Sequence, residues 1–313
     1  MNPAWSVVFF TTLAGAGQGL VLALFEAEWA RRAGFMSVGP GPRLVAAGAL
    51  AGALLACGGL ISSFLHLGRP ERAWRAAAMW RTSWLSREVI VLPGFIALAL
   101  AYGAAQIWLP EIGFVIGAAA TVAALVLFLC TGMIYACIRF LQEWASPLTP
   151  INFTLLGCAN GFSIAAAMTA AMGAEPLHFF AVGAIGFTIA GLVGRAAAWR
   201  RNARRVPMST LQTAIGITHR HITQQAQGFS GGSFNTREFF HGRSAAAIRL
   251  WRRFAVVGAF LLPLALLVAG SALASALLLG AAAVIQYAGL LAERWLFFAE
   301  ANHPQNLYYQ RAG

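Results

Sequence analysis

His66 and Glu88 are the residues whose types and placement in this sequence point to proton chemistry. The stretch HLGRPERAWRAAAMWRTSWLSRE, residues 66–88, opens on the histidine and closes on the glutamate, with five arginines and three tryptophans between them. Histidine titrates near neutral pH and can both donate and accept a hydrogen bond. A carboxylate near it can exchange protons with water. Long apolar runs flank the stretch on both sides, so the two titratable groups stand at the mouths of neighbouring apolar segments. Charge inside hydrocarbon is costly, and ionisable groups at such boundaries are candidates for function. The plain alternative is a charged loop that orients a hairpin, and spacing alone does not separate the two.

Composition says what must position these residues. The chain has 313 residues, 59% hydrophobic and only 10% charged, with a mean hydropathy of +0.69. A soluble domain carries about 25% charged residues. Eight apolar runs of the length needed to span a membrane lie at about 7–30, 44–66, 88–108, 112–136, 152–173, 177–199, 250–268 and 272–298. The expected fold is an all-α integral membrane protein, a single domain over 1–313 built as a bundle of eight transmembrane helices. The alternating short segments of a β-barrel are not seen. Small residues in LAGAGQG and VAAGALAGALLACGG permit close helix approach. Short connections are expected at 109–111, 174–176 and 269–271, and long ones at 67–87, 137–151 and the basic loop 200–249. That loop holds RRNARR, HRH, a GGS turn and IRLWRR. No internal repeat is evident.

All ten acidic residues are glutamates and all 22 basic residues are arginines, for a net charge of +12. Nucleic acid is not an expected partner, because no long soluble domain carries the charge. Arginines at membrane boundaries explain it, with lipid headgroups and partner proteins as counterparts. Cys57, Cys130, Cys137 and Cys158 form no C-x-x-C pair and read as packing residues, so no iron–sulfur or cysteine zinc site is expected in this chain. MNPAWSVVFF lacks a positive start and reads as the head of a retained first helix. With both termini cytoplasmic, that side receives Arg69, Arg72, Arg75, Arg81, Arg87, Arg139, the arginines of 200–253, Arg294 and Arg311. The other side keeps Arg31, Arg32 and Arg43. The positive-inside bias therefore favours cytoplasmic termini in a bacterial inner membrane.

Within the 66–88 stretch, Pro70 suits the first turn of a helix. Residues 71–80 could then lie along the interface with Trp74 and Trp80 in the headgroup zone. Arg69, Arg72 and Arg75 would form a cationic stripe. A quinone or quinol pocket needs an apolar wall, a hydrogen-bond partner for the ring oxygen and a proton exchanger. His66 and Glu88 could supply the polar functions.

HLGRPERAWRA followed by TSWLSRE, together with MIYACIRFLQEWASPLTPINF at 133–153, resembles the signature stretches of the dimethyl sulfoxide reductase anchor subunit family. The resemblance covers most of the chain. It implies a membrane anchor without redox metal of its own that binds ubiquinone or menaquinone. The implied partners are a ferredoxin-like subunit with four 4Fe-4S clusters and a molybdopterin catalytic subunit. His66 and Glu88 match the family's menaquinol-site positions, and Arg69, Pro70 and Arg72 belong to the matched motif with support roles. The C-terminal AERWLFFAEANHPQNLYYQ, 292–310, departs from the dimethyl sulfoxide branch and is similar to the anchor subunit of cytoplasmic sulfite dehydrogenases. That branch implies quinone reduction.

The remaining histidines do not suggest a metal or haem. His178 is expected on the face opposite His66, and His219, His221, His241 and His303 fall in loops or the tail, so a bis-histidine haem is not expected. His219 and His221 lack a third ligand nearby. The 200–249 loop reads equally as a partner- or lipid-binding segment and as a solvated arginine loop. Glu26 and Glu28 either pair with Arg31 and Arg32 or serve a proton path. Tyr135 and Asn152 are expected on the quinone face, where packing explains them as well. A secondary transporter is the rival reading of the bundle, disfavoured by few polar groups in mid-span. A purely structural anchor is the third.

Overall fold

The computed structural model describes residues 1–65, 67–223, 241–304 and 306. His66, Arg311 and residues 224–240 of the basic loop, with its GGS turn, lie outside the described residues. Eight helices are long and apolar enough to cross a membrane: α1 Trp5–Arg32, α2 Pro42–Phe64, α3 Trp84–Trp108, α4 Pro110–Ala136, α5 Leu148–Ala171, α6 Leu177–Ala203, α7 Ala245–Ala272 and α8 Ala276–Ala299. The described residues contain no strand.

Most helices outrun their apolar runs. Arginine and tryptophan keep their helical hydrogen bonds while their polar ends reach the interface. Thus α1 continues through Arg31 and Arg32, and IRLWRR lies inside α7, not in the basic loop. Ser244 starts that helix, its Oγ accepting the Ala247 N–H at 3.2 Å. The last hairpin also differs from expectation. The α7 helix runs through 269–271 and breaks at Leu273–Ser275, where Ala274 has φ of +47° and Ser275 caps α8. Gly270 allows the run to continue, because its missing side chain leaves room for Leu279 of α8.

The Met1 nitrogen donates to the carbonyls of Ala299 and Ala301 at 3.0 and 2.9 Å, tying the start of α1 to the end of α8. Alternation of eight spans then puts 67–83, 137–147, 204–223 and 241–244 on this terminal face. Residues 33–41, 172–176 and 273–275 lie on the opposite face.

The most deeply buried helix is α1, which packs against α2, α4, α5 and α8. Its crossing with α5 is set by glycine. A Cβ on Gly161 would run into the backbone of Gly19 and Leu20, so the two helices touch main chain to main chain.

The centre of the bundle is more polar than the sequence suggested. Gln286 of α8 accepts from Ser163 Oγ at 2.7 Å and donates to Thr188 Oγ1 at 2.8 Å. Asn160 donates to the Ala283 carbonyl at 3.1 Å. A π-helical turn at Val257–Leu261 faces this cluster. Pro263 has no N–H to give the Ala259 carbonyl, its normal α-helical partner, and Gln286 Nε2 reaches that oxygen at 3.4 Å instead. These groups are neutral and nearly all paired, as hydrocarbon requires.

Candidate functional site

Ser83 sets the register of the hairpin. Its Oγ accepts the Ser86 N–H at 3.3 Å and starts α3 at Trp84. Glu88 consequently sits beyond the first turn of α3, not at the mouth of the span, and is only 3% exposed. Thr131 of α4 donates its hydroxyl to Glu88 Oε1. A buried carboxylate requires such a donor. The neighbouring Arg87 turns toward the loop. Its Nε donates to the Trp80 carbonyl at 2.9 Å and its Nη2 to that of Arg81 at 2.8 Å, with the guanidinium 4.3 Å from the Trp84 ring centre. These contacts pin the end of the loop to α3.

Arg69, Pro70 and Arg72, the support residues of the expected site, lie on the surface. Pro70–Met79 forms a 3₁₀ helix with Pro70 in its first turn, where a missing N–H costs nothing. Three residues per turn align Arg72 and Arg75 on one face. Arg69, Pro70 and Arg72 are exposed, and Arg72 lies 3.8 Å from Glu71. Among the described residues no hydrogen bond or ion pair joins these three to Glu88. Trp74 and Trp80 are exposed, as an interfacial segment requires.

On the same face lies a cluster from which sequence reasoning singled out Tyr135 and Asn152 but missed the buried charges. Tyr135 of α4 lies one helical turn beyond Thr131, the donor to Glu88. Its ring packs against Trp144, Phe153, Phe297 and Phe298 at centroid distances of 5.2–5.7 Å. The Arg294 guanidinium lies 3.4 Å from the Phe153 ring centre, and Arg195 Nε stands 2.8 Å from Glu293 Oε1. All three charged groups are buried, so Arg294 does not belong with the loop arginines as expected. Glu300 extends the set to Arg252 at 2.6 Å and Trp199 Nε1 at 3.2 Å. The Arg195–Glu293 contact is close but poorly aligned for a hydrogen bond. Arg195 Nε and Nη2, Arg294 Nε and Asn152 Oδ1 find no hydrogen-bond partner, and all three residues line a narrow cavity on the terminal face. The available signal was ionisable residues inside apolar runs, Arg195 in 177–199 and Glu293–Arg294 in 272–298.

On the opposite face Glu28 accepts from Tyr102 Oη and Gln106 Nε2, both at 2.8 Å, and lies 3.7 Å from Arg32. Arg32 also pairs with Glu111 at 2.9 Å. Glu26 has no such partner among the described residues. The His221 N–H donates to His219 Nδ1 at 3.1 Å, closing a local turn. Among the described residues no three His, Cys or Glu side chains converge as a metal site would need.

The model of the DMSO reductase anchor subunit (DmsC) family matches residues 1–299. The chain belongs to that family. This membrane anchor is also similar to a sulfite dehydrogenase subunit of Allochromatium vinosum, with 50% identity over 324 aligned positions covering 99% of each chain. Membership and eight apolar helices together make it a multi-pass membrane protein.

Proposed function

We propose that this anchor subunit is the quinone-reactive membrane component of a three-subunit molybdopterin oxidoreductase. It would exchange electrons between the quinone pool and an iron–sulfur partner subunit, with the molybdenum chemistry on a third chain. The observation that carries the pocket is Glu88, a carboxylate buried near the terminal face and held by Thr131, one helical turn along α4 from Tyr135 and its aromatic cluster. An apolar wall beside one buried proton-exchanging group fits a quinone ring. The sulfite branch, with quinone as electron acceptor, is favoured over the sulfoxide branch by the likeness to the Allochromatium protein.

Quinone, when bound, supplies a carrier of two electrons and two protons. His66 would hydrogen-bond a ring oxygen and hold a proton at its imidazole. Glu88 would exchange that proton with the aqueous side, and Thr131 would keep the carboxylate oriented. Arg69, Pro70 and Arg72 would form the interfacial lip and present positive charge to headgroups and the partner. The arginine-rich terminal face would be cytoplasmic in a bacterial inner membrane, with the iron–sulfur subunit docked there.

The assembled complex carrying His66→Arg or Glu88→Gln tests this reading. Quinone-linked turnover is expected to collapse while oxidation with an artificial acceptor, which bypasses the membrane subunit, persists. Undiminished quinone turnover in both variants overturns the pocket. Mild-detergent purification should bring molybdopterin and iron–sulfur companions with the chain.

A further inference from the structure

We infer that the opposite face carries a second ligand cavity, built for a lipid-soluble ring bearing hydroxyl groups, of the quinol type, with Glu26 as its hydrogen-bond acceptor. The cavity is a cleft of about 880 Å³, open on one side, between α1, α5, α6 and the 35–38 segment. Small-molecule sites span about 300–1,000 Å³ and combine apolar walls with a few convergent polar groups. Here Phe162, Phe179, Phe187 and Met36 supply walls, and Glu26, Glu175 and His178 supply the polar groups. Gly183 lets the Phe162 ring close the floor, since a Cβ at that position would collide with it.

Glu26 is the informative residue. Two positions further on, Glu28 is saturated by Tyr102, Gln106 and Arg32. Glu26 is half-buried in the cavity wall with no hydrogen-bond or ion-pair partner among the described residues. A carboxylate held out of water calls for a donor, and no arginine or tyrosine lines this cavity. Ser37 and His178, the lining side chains that can donate, make no hydrogen bond to Glu26, so a ligand hydroxyl can supply the donor. Absence of a lining cation disfavours anionic headgroups. A flat neutral ring stacks on phenylalanine faces and escapes the desolvation cost that an ammonium headgroup would incur beside Glu26. Val182, on the rim and 53% exposed, faces outward from α6 and leaves a lateral exit for an apolar tail. His178, exposed at the mouth, can hydrogen-bond a second ligand oxygen.

The site does not depend on the Glu88 pocket, which lies at the other end of the bundle, and one experiment reads the two separately. The complex in lipid nanodiscs is photolabelled with an azidoquinone reduced to its quinol, and labelled peptides are mapped by mass spectrometry. Label is expected on peptides covering 22–38 and 172–187. Exchanging a charged acceptor for a neutral amide oxygen should weaken labelling there about tenfold in Glu26→Gln. Val182→Trp, filling the mouth from its exposed edge, should remove it, with labelling around 67–88 unchanged in both variants. Absence of label on the opposite-face peptides of the wild-type complex overturns the inference. So does labelling there that neither variant alters, or that excess phosphatidylethanolamine displaces while excess quinol does not. Loss of label at 67–88 alone in His66→Arg bears only on the terminal-face pocket.

Discussion

Thr131 is the residue through which Glu88 can be interrogated without touching the carboxylate. Its hydroxyl is the one donor to Glu88 among the described hydrogen bonds. A hydrogen bond to a charged group contributes about 1.5–3 kcal/mol, so losing it corresponds to about a tenfold to hundredfold change. Thr131→Val, which keeps the side-chain volume, is expected to lower quinone-linked kcat by at least about tenfold on that scale. Artificial-acceptor activity should stay unchanged, and Thr131→Ser should restore most of the loss. Equal impairment by valine and serine would assign Thr131 to packing alone. At this scale the sequence was half legible. Glu88 stood out because it stands, like His66, at the mouth of an apolar run, but Thr131 could not, since 43 residues separate it from Glu88 and only the α3–α4 packing joins them. The Arg195–Glu293–Arg294 cluster was hidden for a related reason. Each charge looks like a boundary residue until folding gives it a partner.

At the scale of elements, eight spans were readable because hydrocarbon demands about 20 apolar residues from every helix. Their ends were not, because backbone hydrogen bonding continues past the apolar run wherever arginine and tryptophan can reach the interface. The close crossing of α1 and α5 depends on glycines that composition reports only as small. A side chain at 161 must displace the α1 backbone, and overpacking of this kind costs about 1–3 kcal/mol or more. Gly161→Val is therefore expected to lower the thermal midpoint of the detergent-solubilised protein and its yield in membranes. Gly186→Ala is the matched control. Nothing lies within 4 Å of a Cβ there, and alanine is the better helix former by about 1 kcal/mol, so its midpoint should hold or rise. Equal midpoints for Gly161→Val and wild type would mean the helices can part without loss.

Over the whole molecule, charge is segregated by face more strongly than any single contact reveals. Arg69, Arg72, Arg75, Arg81, Arg87, Arg139 and the described arginines of 200–253 lie at or near the terminal face, whereas the opposite face holds Arg31, Arg32 and Arg43. Arg32 is itself matched by Glu28 and Glu111. Short arginine-rich loops stay on the cytoplasmic side during insertion, so the terminal face, with the proposed Glu88 site near it, should be cytoplasmic. The chain supplies its own reporter for that face. Cys137, at the terminal end of α4, is exposed, Cys57 is half-buried within α2, and Cys130 and Cys158 are buried. Ser37→Cys places an exposed thiol on the opposite face. In intact cells stripped of their outer membrane, a membrane-impermeant maleimide should label Ser37→Cys, in a Cys137→Ser background, and leave native Cys137 unreacted. Inverted vesicles should reverse the pattern, with the partner subunits removed so that docking cannot shield Cys137. Labelling of Cys137 from outside would turn the molecule over. The proposed Glu88 site would then have to take up and release its protons at the periplasmic surface, and partners recognising the arginine-rich face would have to assemble there.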